Sequence, residues 1–323
     1  MTSRAFLSLT FFLTFWFSAS ATVIPGSPGF TPSSVAQSVK LETPSLMEKA
    51  QAGDPKAEYQ IGWPYFTGKG VPVNYNEAAQ WLQRSAAQGF RDAEFALGYL
   101  YEQGKGRRKD DRQAVFYYTA AAKQGHSTAE NNLASMYQHG LGVRKDLHEA
   151  VAWYQKAAEH GEVVAQCNLA SMYFRGEGLE RDYSQAAKWF RAAAEQGYAP
   201  AQENLAWMHY TGTGLPRDYS EAARWSHAAA EQGMARAQLD LGYLYEQGKG
   251  VPLDYVSAYM WYKSSYDAGI RQAATQLKRL SKIMSQEQIK QATAASANLP
   301  RPRSPIREGM ASQGIGSPFS SRP

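Results

Sequence analysis

The sequence predicts an all-α protein, a right-handed α/α superhelical solenoid of about six 36-residue helix-turn-helix repeats with helical caps. Three observations predict this fold class. An alanine returns every 36 residues, at Ala57, Ala93, Ala129, Ala165, Ala201 and Ala237. Two glycines follow it at fixed distances in each unit, and an aspartate or asparagine comes shortly after them. Between these markers, apolar residues recur with the three-and-four spacing of a helix face, so each unit is expected to contain two short helices.

The amino terminus carries the pattern of a signal peptide. Arg4 precedes a run of thirteen mostly apolar residues, 5–17, and Ala19-Ser20-Ala21 supplies a small-residue cleavage site. We therefore assign 1–21 to a signal peptide cleaved after Ala21, since the alternative of an uncleaved membrane anchor needs about 20 apolar residues. Residues 22–43 are rich in Pro, Ser and Gly and are expected to be a disordered linker, and 44–56 an N-terminal capping helix.

The repeats are expected at 57–92, 93–128, 129–164, 165–200, 201–236 and 237–272, and each begins with its first helix. Counted from the opening alanine, positions one, five and nine share a helix face and carry alanine, leucine or isoleucine, and usually tyrosine. Glycines at positions twelve and fourteen, such as Gly176 and Gly178, should end this helix because glycine enters the left-handed conformation without a steric penalty.

The second helix of each repeat is expected to begin after position eighteen, which is Asn74 in the first repeat and aspartate in the others. An alanine at position 22 and an aromatic residue at position 25 are expected to form its buried face, because a small residue lets helices approach and a ring fills the gap. The aromatic residues are Trp81, Tyr117, Trp153, Trp189, Trp225 and Trp261. On this interpretation, replacing Trp153 or Trp189 by alanine costs about 3–5 kcal/mol.

Beyond the repeats, residues 273–298 are expected to form C-terminal capping helices, and 299–323 a disordered basic tail. The formal net charge of the chain is +5, but the signal segment holds +1 of it and the tail +3, so the repeats are nearly neutral. Nucleic acid is therefore not a predicted partner, because its binding needs positive charge gathered on one face. No later stretch predicts a membrane span, so a secreted or periplasmic protein is expected after signal cleavage.

The repeat resembles the Sel1-like repeat, a relative of the tetratricopeptide repeat, through the motif A-x-x-x-L-G/A-x-x-Y-x-x-G-x-G-V/L-x-x-D-x-x-x-A-x-x-W-x-x-x-A-A-x-Q-G. Six copies return, and the resemblance covers about residues 45–292. It implies a helical scaffold with a role in complex assembly, envelope signalling or host contact.

The same pattern predicts no catalytic residue, cofactor or metal site. Each histidine occupies a repeat position that explains it without chemistry, and the glycine pairs recur once per hairpin without the preceding strand that a phosphate-binding loop requires. The capping aspartates lie a whole unit apart, so they do not form the close carboxylate pair of a hydrolase. The one cysteine, Cys167, excludes a disulfide framework.

One face of the first helix is predicted to bind a partner. Positions four and seven lie opposite the leucine and tyrosine and should line the inner, concave curve of the array. The candidate residues are Asn132, Asn168 and Asn204 at position four, and Trp63, Tyr99, Trp207 and Tyr243 at position seven. An amide both donates and accepts hydrogen bonds, so a row of asparagines can pair with the backbone of an extended chain. The alternative is that these amides bond neighbouring helices and these rings pack between repeats.

The predicted function is a non-catalytic protein–protein interaction scaffold, exported from the cytoplasm, that binds a protein or peptide segment on its concave face. The alternative is an enzyme that binds or hydrolyses cell-wall peptides or β-lactams, as the resemblance implies for cysteine-rich relatives. This chain lacks their paired cysteines. The partner, the oligomeric state and the choice between periplasm, extracellular space and endoplasmic reticulum lumen stay open from the sequence.

Overall fold

A computed structural model describes residues 44–300, and these residues form fifteen helices and no strand. The helices are α1 Pro44–Gln51, α2 Pro55–Thr67, α3 Tyr75–Ala87, α4 Arg91–Gln103, α5 Asp111–Lys123, α6 Ser127–His139, α7 Leu147–Glu159, α8 Val163–Arg175, α9 Tyr183–Glu195, α10 Ala199–Thr211, α11 Tyr219–Glu231, α12 Ala235–Gln247, α13 Tyr255–Asp267, α14 Ala273–Leu280 and α15 Gln286–Ser296. The predicted signal peptide, the linker and nearly all of the basic tail lie outside the described residues.

The helices stack as six hairpins, and packing concentrates between helices that are consecutive along the chain. Each even-numbered helix from α2 to α12 pairs with the helix after it, and each second helix contacts the first helix of the next hairpin. At the ends, α1 packs on α2, while α14 and α15 pack on α13. The predicted fold class, an all-α solenoid of six 36-residue repeats with helical caps, is therefore confirmed.

Each first helix begins two residues before the alanine that opens the predicted unit. In the fourth repeat, α8 starts at Val163, and Ala165 and Leu169 are fully buried. Gly176 ends the helix in the left-handed conformation, with φ of 69°, as expected. The first repeat starts at Pro55, inside the predicted capping helix, because Asp54 accepts a hydrogen bond from the backbone N–H of Lys56 at 2.9 Å and caps a new helix there.

The predicted caps of the second helices are confirmed. In α9, for example, the Asp182 carboxylate accepts hydrogen bonds from the backbone N–H groups of Ser184 and Gln185 at 2.9 and 3.0 Å. Such a cap satisfies two of the four N–H groups that every helix start leaves without a partner inside the helix.

The prediction that Trp153 and Trp189 are core residues is wrong: both rings are only half-buried. A lysine ammonium group lies over the face of each ring, Lys156 at 4.1 Å from the Trp153 centroid and Lys188 at 5.6 Å from the Trp189 centroid. The buried large residue is the next one along the helix. These residues are Leu82, Tyr118, Tyr154, Phe190 and Tyr262, each at most 2% exposed. Trp225 and Trp261, at 8% and 3% exposed, do follow the prediction.

From the second repeat onward, the second glycine of each pair lets adjacent repeats touch. Gly178 has φ of 73°, and a Cβ atom there would collide with the backbone carbonyl of Leu147, at the start of α7 in the preceding repeat. Glycine is required by both its φ and this close approach. The contact also brings position thirteen of one repeat beside position nineteen of the repeat before it.

The C-terminal end extends the packed region slightly beyond the predicted boundary. Leu299, which the sequence assigned to the basic tail, is half-buried against the apolar cluster that includes Leu241 and Trp261.

Candidate interaction surface

Two of the three candidate asparagines at position four sit deep between the helices. Asn132 and Asn204 are each 3% exposed, whereas Asn168 is half-buried. The Asn168 side-chain amide donates to Oδ1 of Asn131 at 3.2 Å, and the amide of Asn131 donates to Oδ1 of Asn132 at 3.2 Å. These hydrogen bonds link α6 to α8, so at this point the amides join neighbouring repeats. Asn131, which the sequence analysis did not single out, is the bridging residue.

The four candidate rings at position seven lie in three separate places. Trp63 stacks on Phe66 with centroids 5.1 Å apart, and Phe66 in turn meets Tyr99 at 5.4 Å, so the first two repeats share one group. Trp207 and Tyr243, in the fifth and sixth repeats, each contact a ring of the preceding repeat. The candidate asparagines lie in the third, fourth and fifth repeats, so only Asn204 shares a repeat with one of these rings.

Three repeat boundaries carry the same aromatic arrangement, made from positions ten and nineteen of one repeat and position seven of the next. We call them the N-terminal cluster (Phe66, Tyr75, Tyr99), the central cluster (Phe174, Tyr183, Trp207) and the C-terminal cluster (Tyr210, Tyr219, Tyr243). In each, the position-ten ring lies between the other two.

The geometry of the three clusters is closely similar. The rings at positions ten and seven meet edge to face at interplanar angles of 79°, 78° and 76°, with centroids 5.4, 5.5 and 6.3 Å apart. The rings at positions ten and nineteen are 6.2, 5.0 and 5.3 Å apart. Edge-to-face pairs at such distances are favourable because a positive ring edge meets a negative ring face. Sequence reasoning missed positions ten and nineteen, although the recurrence of aromatic residues at both was a signal that could have found them.

Two of the clusters enclose a lysine, which comes from position thirteen of the later of the two repeats that meet there. Lys105 Nζ lies 5.2 Å from the Tyr75 centroid and 5.3 Å from that of Tyr99, and donates to the Tyr99 hydroxyl at 3.3 Å. Lys249 Nζ lies 5.1 to 5.5 Å from all three ring centroids of the C-terminal cluster and donates to the Tyr210 hydroxyl at 3.0 Å. That hydrogen bond, outweighing burial, raises the pKa of Lys249.

Burial accounts for the shifted pKa values of Cys167 and His126. Burial raises the pKa of the Cys167 thiol to about 12, so this side chain stays protonated and is a poor nucleophile. The His126 ring stacks on Phe95 with centroids 4.4 Å apart, and burial lowers its pKa to about 4. His160 Nδ1 lies 2.8 Å from the buried Glu130 carboxylate, across the boundary between two helices of one hairpin. Among residues 44–300, no group of histidine, cysteine, aspartate and glutamate side chains is arranged to hold a metal ion.

Glu203 is the buried carboxyl group closest in sequence to the central cluster. It lies one helical turn before Trp207 on α10, its side chain is 11% exposed, and burial raises its pKa to about 7. Arg236 Nε is 3.7 Å from its Oε1 atom, which is a long ion pair. At position three, where Glu203 lies, the N-terminal and C-terminal clusters have the apolar Phe95 and Leu239.

The fold and this surface define the class of protein, an α/α repeat solenoid. A family model, the Sel1 repeat, matches residues 55–90, 91–126, 127–162, 163–198, 199–234 and 235–270. The chain belongs to the Sel1 repeat family, whose members are generally protein–protein interaction scaffolds. The matched repeats begin where the first helices begin.

Solved structures are similar to this one. A protective antigen of uropathogenic Escherichia coli strains, which displays an SLR fold, is 34% identical with a TM-score of 0.73, over 80% of this chain and 56% of that one. A Sel1 repeat protein from Oxalobacter formigenes is 37% identical with a TM-score of 0.65, over 73% of this chain and 68% of that one. The chain thus spans 56% of the length of the Escherichia coli antigen. No curated protein matches the sequence.

Within residues 44–300, every helix is too short or too polar to cross a bilayer.

Proposed function

We propose that this protein is a non-catalytic scaffold that is exported from the cytoplasm and binds a protein or peptide segment along the concave face of its first helices. The observation that carries the proposal is the repetition of aromatic clusters at three repeat boundaries, each of which includes a position-seven ring of a first helix. Aromatic side chains supply large contact areas at low entropic cost, and stacked hairpins present them along an extended surface.

The candidate residues contribute unequally to this surface. Trp63, Trp207 and Tyr243 are half-buried and so keep part of their rings accessible, whereas Tyr99 is 5% exposed. Among the asparagines, Asn168 keeps the most accessible side chain. Asn132 and Asn204 are 3% exposed, so they present little of their amides to a bound chain.

Site-specific photo-crosslinking in the native cell tests the proposal. Ser171 occupies position seven of the fourth repeat, a site that accepts Trp or Tyr in four other repeats, so a benzophenone side chain should fit there. Ser184 is an exposed serine on the second helix of the same repeat and provides the matched control. We expect protein adducts from position 171 and none from position 184. Absence of adducts from position 171, or equal adducts from both positions, contradicts the proposal.

Export rests on the amino-terminal pattern, which lies outside the described residues. Amino-terminal sequencing of the protein recovered from the cell envelope and culture medium should begin at Thr22. Protein that begins at Met1 and stays in the cytoplasm contradicts export without bearing on the interaction surface.

A further inference from the structure

The central cluster differs from the other two in the residue at position thirteen. The N-terminal cluster has Lys105 and the C-terminal cluster has Lys249 at that position, but the central cluster has Thr213. Threonine ends at Cγ2 and Oγ1, too short to carry a charge over the rings as a lysine does. Its hydroxyl instead lies 2.8 Å from the hydroxyl of Thr211, beside the end of α10.

The rings of the central cluster remain suited to a cation. Its position-seven residue is Trp207, and indole is the aromatic ring that attracts cations most strongly. The exposed Arg181 lies against one ring of this cluster, with its guanidinium 5.5 Å from the Tyr183 centroid. The Trp207 ring is half-buried, and its Nε1 atom is buried with no hydrogen-bond partner.

A carboxyl group also accompanies the cluster that lacks a lysine. Glu203 and Trp207 are four residues apart on α10, so their side chains are neighbours on one helix face. The ion pair with Arg236, at 3.7 Å, leaves Glu203 weakly compensated for its burial. Burial raises the pKa of Glu203, and a positive charge arriving beside it would favour the ionised form.

We propose that the central cluster binds a lysine side chain of the partner segment, in the place that Lys105 and Lys249 fill in the other two clusters. Phe174, Tyr183 and Trp207 form the aromatic wall, and Glu203 supplies the nearby negative charge. This inference rests on the proposed function, and it adds that the recognised segment carries a lysine at the boundary between the fourth and fifth repeats.

The probe is a capped heptapeptide, Gly-Ser-Gly-Lys-Gly-Ser-Gly, added to the purified repeat protein while the indole N–H signals are followed by NMR. A Trp207→Tyr variant, which introduces the residue found at position seven of the other clusters, identifies the Trp207 signal. A single cation over aromatic rings supports a Kd on the order of 10–100 mM. We expect saturable shifts of the Trp207 signal, and at least about ten-fold weaker binding when norleucine replaces the lysine.

Two substitutions at position thirteen provide the decisive comparison. Thr213→Lys gives the central cluster a lysine of its own and should weaken peptide binding at least about ten-fold, with an unchanged or higher melting temperature. Lys249→Thr opens the C-terminal cluster and should create a second, weaker site, because that cluster has Tyr243 and Leu239 where the central cluster has Trp207 and Glu203. The inference is overturned if the norleucine peptide binds as well as the lysine peptide, if Thr213→Lys binds the peptide like the wild type, or if the Trp207 signal does not move.

These results separate the inference from the proposed function. If only the inference fails, photo-crosslinking from position 171 still yields adducts in both the wild type and Thr213→Lys. If the proposed function fails, position 171 yields no adducts, whatever the peptide does.

Discussion

At the residue scale, adjacent positions on one helix have different environments. Trp189 and Phe190 are both large and aromatic, but only Phe190 is fully buried, whereas Trp189 is half-buried beneath a lysine. The free energy that burial contributes depends on the area removed from water, so the two neighbours should differ in their effect on stability.

We expect Phe190→Ala to lower the free energy of unfolding by about 3–5 kcal/mol, the usual cost of emptying a buried aromatic site. Trp189→Ala should cost about 1–2 kcal/mol, because part of that ring is in contact with water in the folded protein. Urea denaturation of both variants measures the difference. Equal losses, or a larger loss for Trp189→Ala, would show that the two burial states have been assigned the wrong way round.

His126 and Glu203 should change stability with pH in opposite directions. Burial lowers the pKa of His126 from 6.5 to about 4, so between these values the unfolded chain binds a proton that the folded protein does not. Its contribution to stability is present above pH 6.5 and is lost as the pH falls towards 4. Burial raises the pKa of Glu203 from 4.5 to about 7, so its contribution is present below pH 4.5 and is lost as the pH rises through 7.

The measurement is the free energy of unfolding between pH 4.5 and 7.5 for the wild type, His126→Asn and Glu203→Gln. Asparagine keeps an acceptor at the position where His126 Nδ1 caps α6. Relative to the wild type, His126→Asn should gain stability as the pH falls, and Glu203→Gln should gain stability as the pH rises. Parallel curves for the wild type and either variant rule out that residue as a source of the pH dependence.

At the element scale, short helices are fixed by their ends. Every first and second helix has thirteen residues, a length that is marginal for an isolated helix in water. The second helices start on side-chain caps such as Asp182, whereas α4, α8, α10 and α12 start without one. The first helices therefore depend more on packing, and the glycine loops that follow them determine how closely the repeats stack.

Two glycines of similar φ should respond differently to substitution. Gly161 has φ of 84° with open space around a Cβ atom, and Gly178 has φ of 73° with the Leu147 backbone in the way. Gly161→Ala should cost about 1–2 kcal/mol for the left-handed backbone alone. Gly178→Ala should cost roughly 1–3 kcal/mol more, because α7 and the loop must separate. Thermal and urea unfolding of the pair measure this, and equal costs would mean that the repeats are not in close contact there.

At the scale of the whole molecule, the array is close to one-dimensional. Each hairpin packs mainly on its neighbours, so stability is expected to be a sum of repeat terms and nearest-neighbour interface terms. The three aromatic clusters lie at individual interfaces between repeats. Their residues differ from one cluster to the next, whereas the helix lengths and the repeat period stay the same.

Deleting residues 127–162, one complete repeat, should leave a folded protein of unchanged fractional helicity and a smaller denaturant m value. This deletion retains all three aromatic clusters. Deleting only 127–144 removes one helix and leaves α7 without its hairpin partner, so that variant should lose cooperative unfolding. Circular dichroism during urea titration distinguishes the two deletion variants. Loss of cooperative unfolding in the variant that lacks 127–162 would argue against a linear array.

The repeat length, the two helices of each unit, their caps and the glycine turns were all predictable from the sequence. These features depend on residues that are close in sequence, as in the hydrogen bond between Asp182 and Ser184 or the left-handed conformation of Gly176. Short-range features of this kind can be predicted from the local sequence. The 36-residue period then predicted that similar units stack on one another, and such stacking forms a solenoid.

Which side chains face the core, and which meet across a repeat boundary, depends on how the hairpins pack. Successive residues on a helix point about 100° apart, so rotating a second helix by part of a turn exchanges the environments of Trp189 and Phe190 without altering its period. The asparagine bridge and the aromatic clusters join residues that are a repeat apart, as Phe174 and Trp207 are. Their contacts depend on how one hairpin sits on the next, and that angle is set by the sum of packing over the whole interface rather than by any short stretch of sequence.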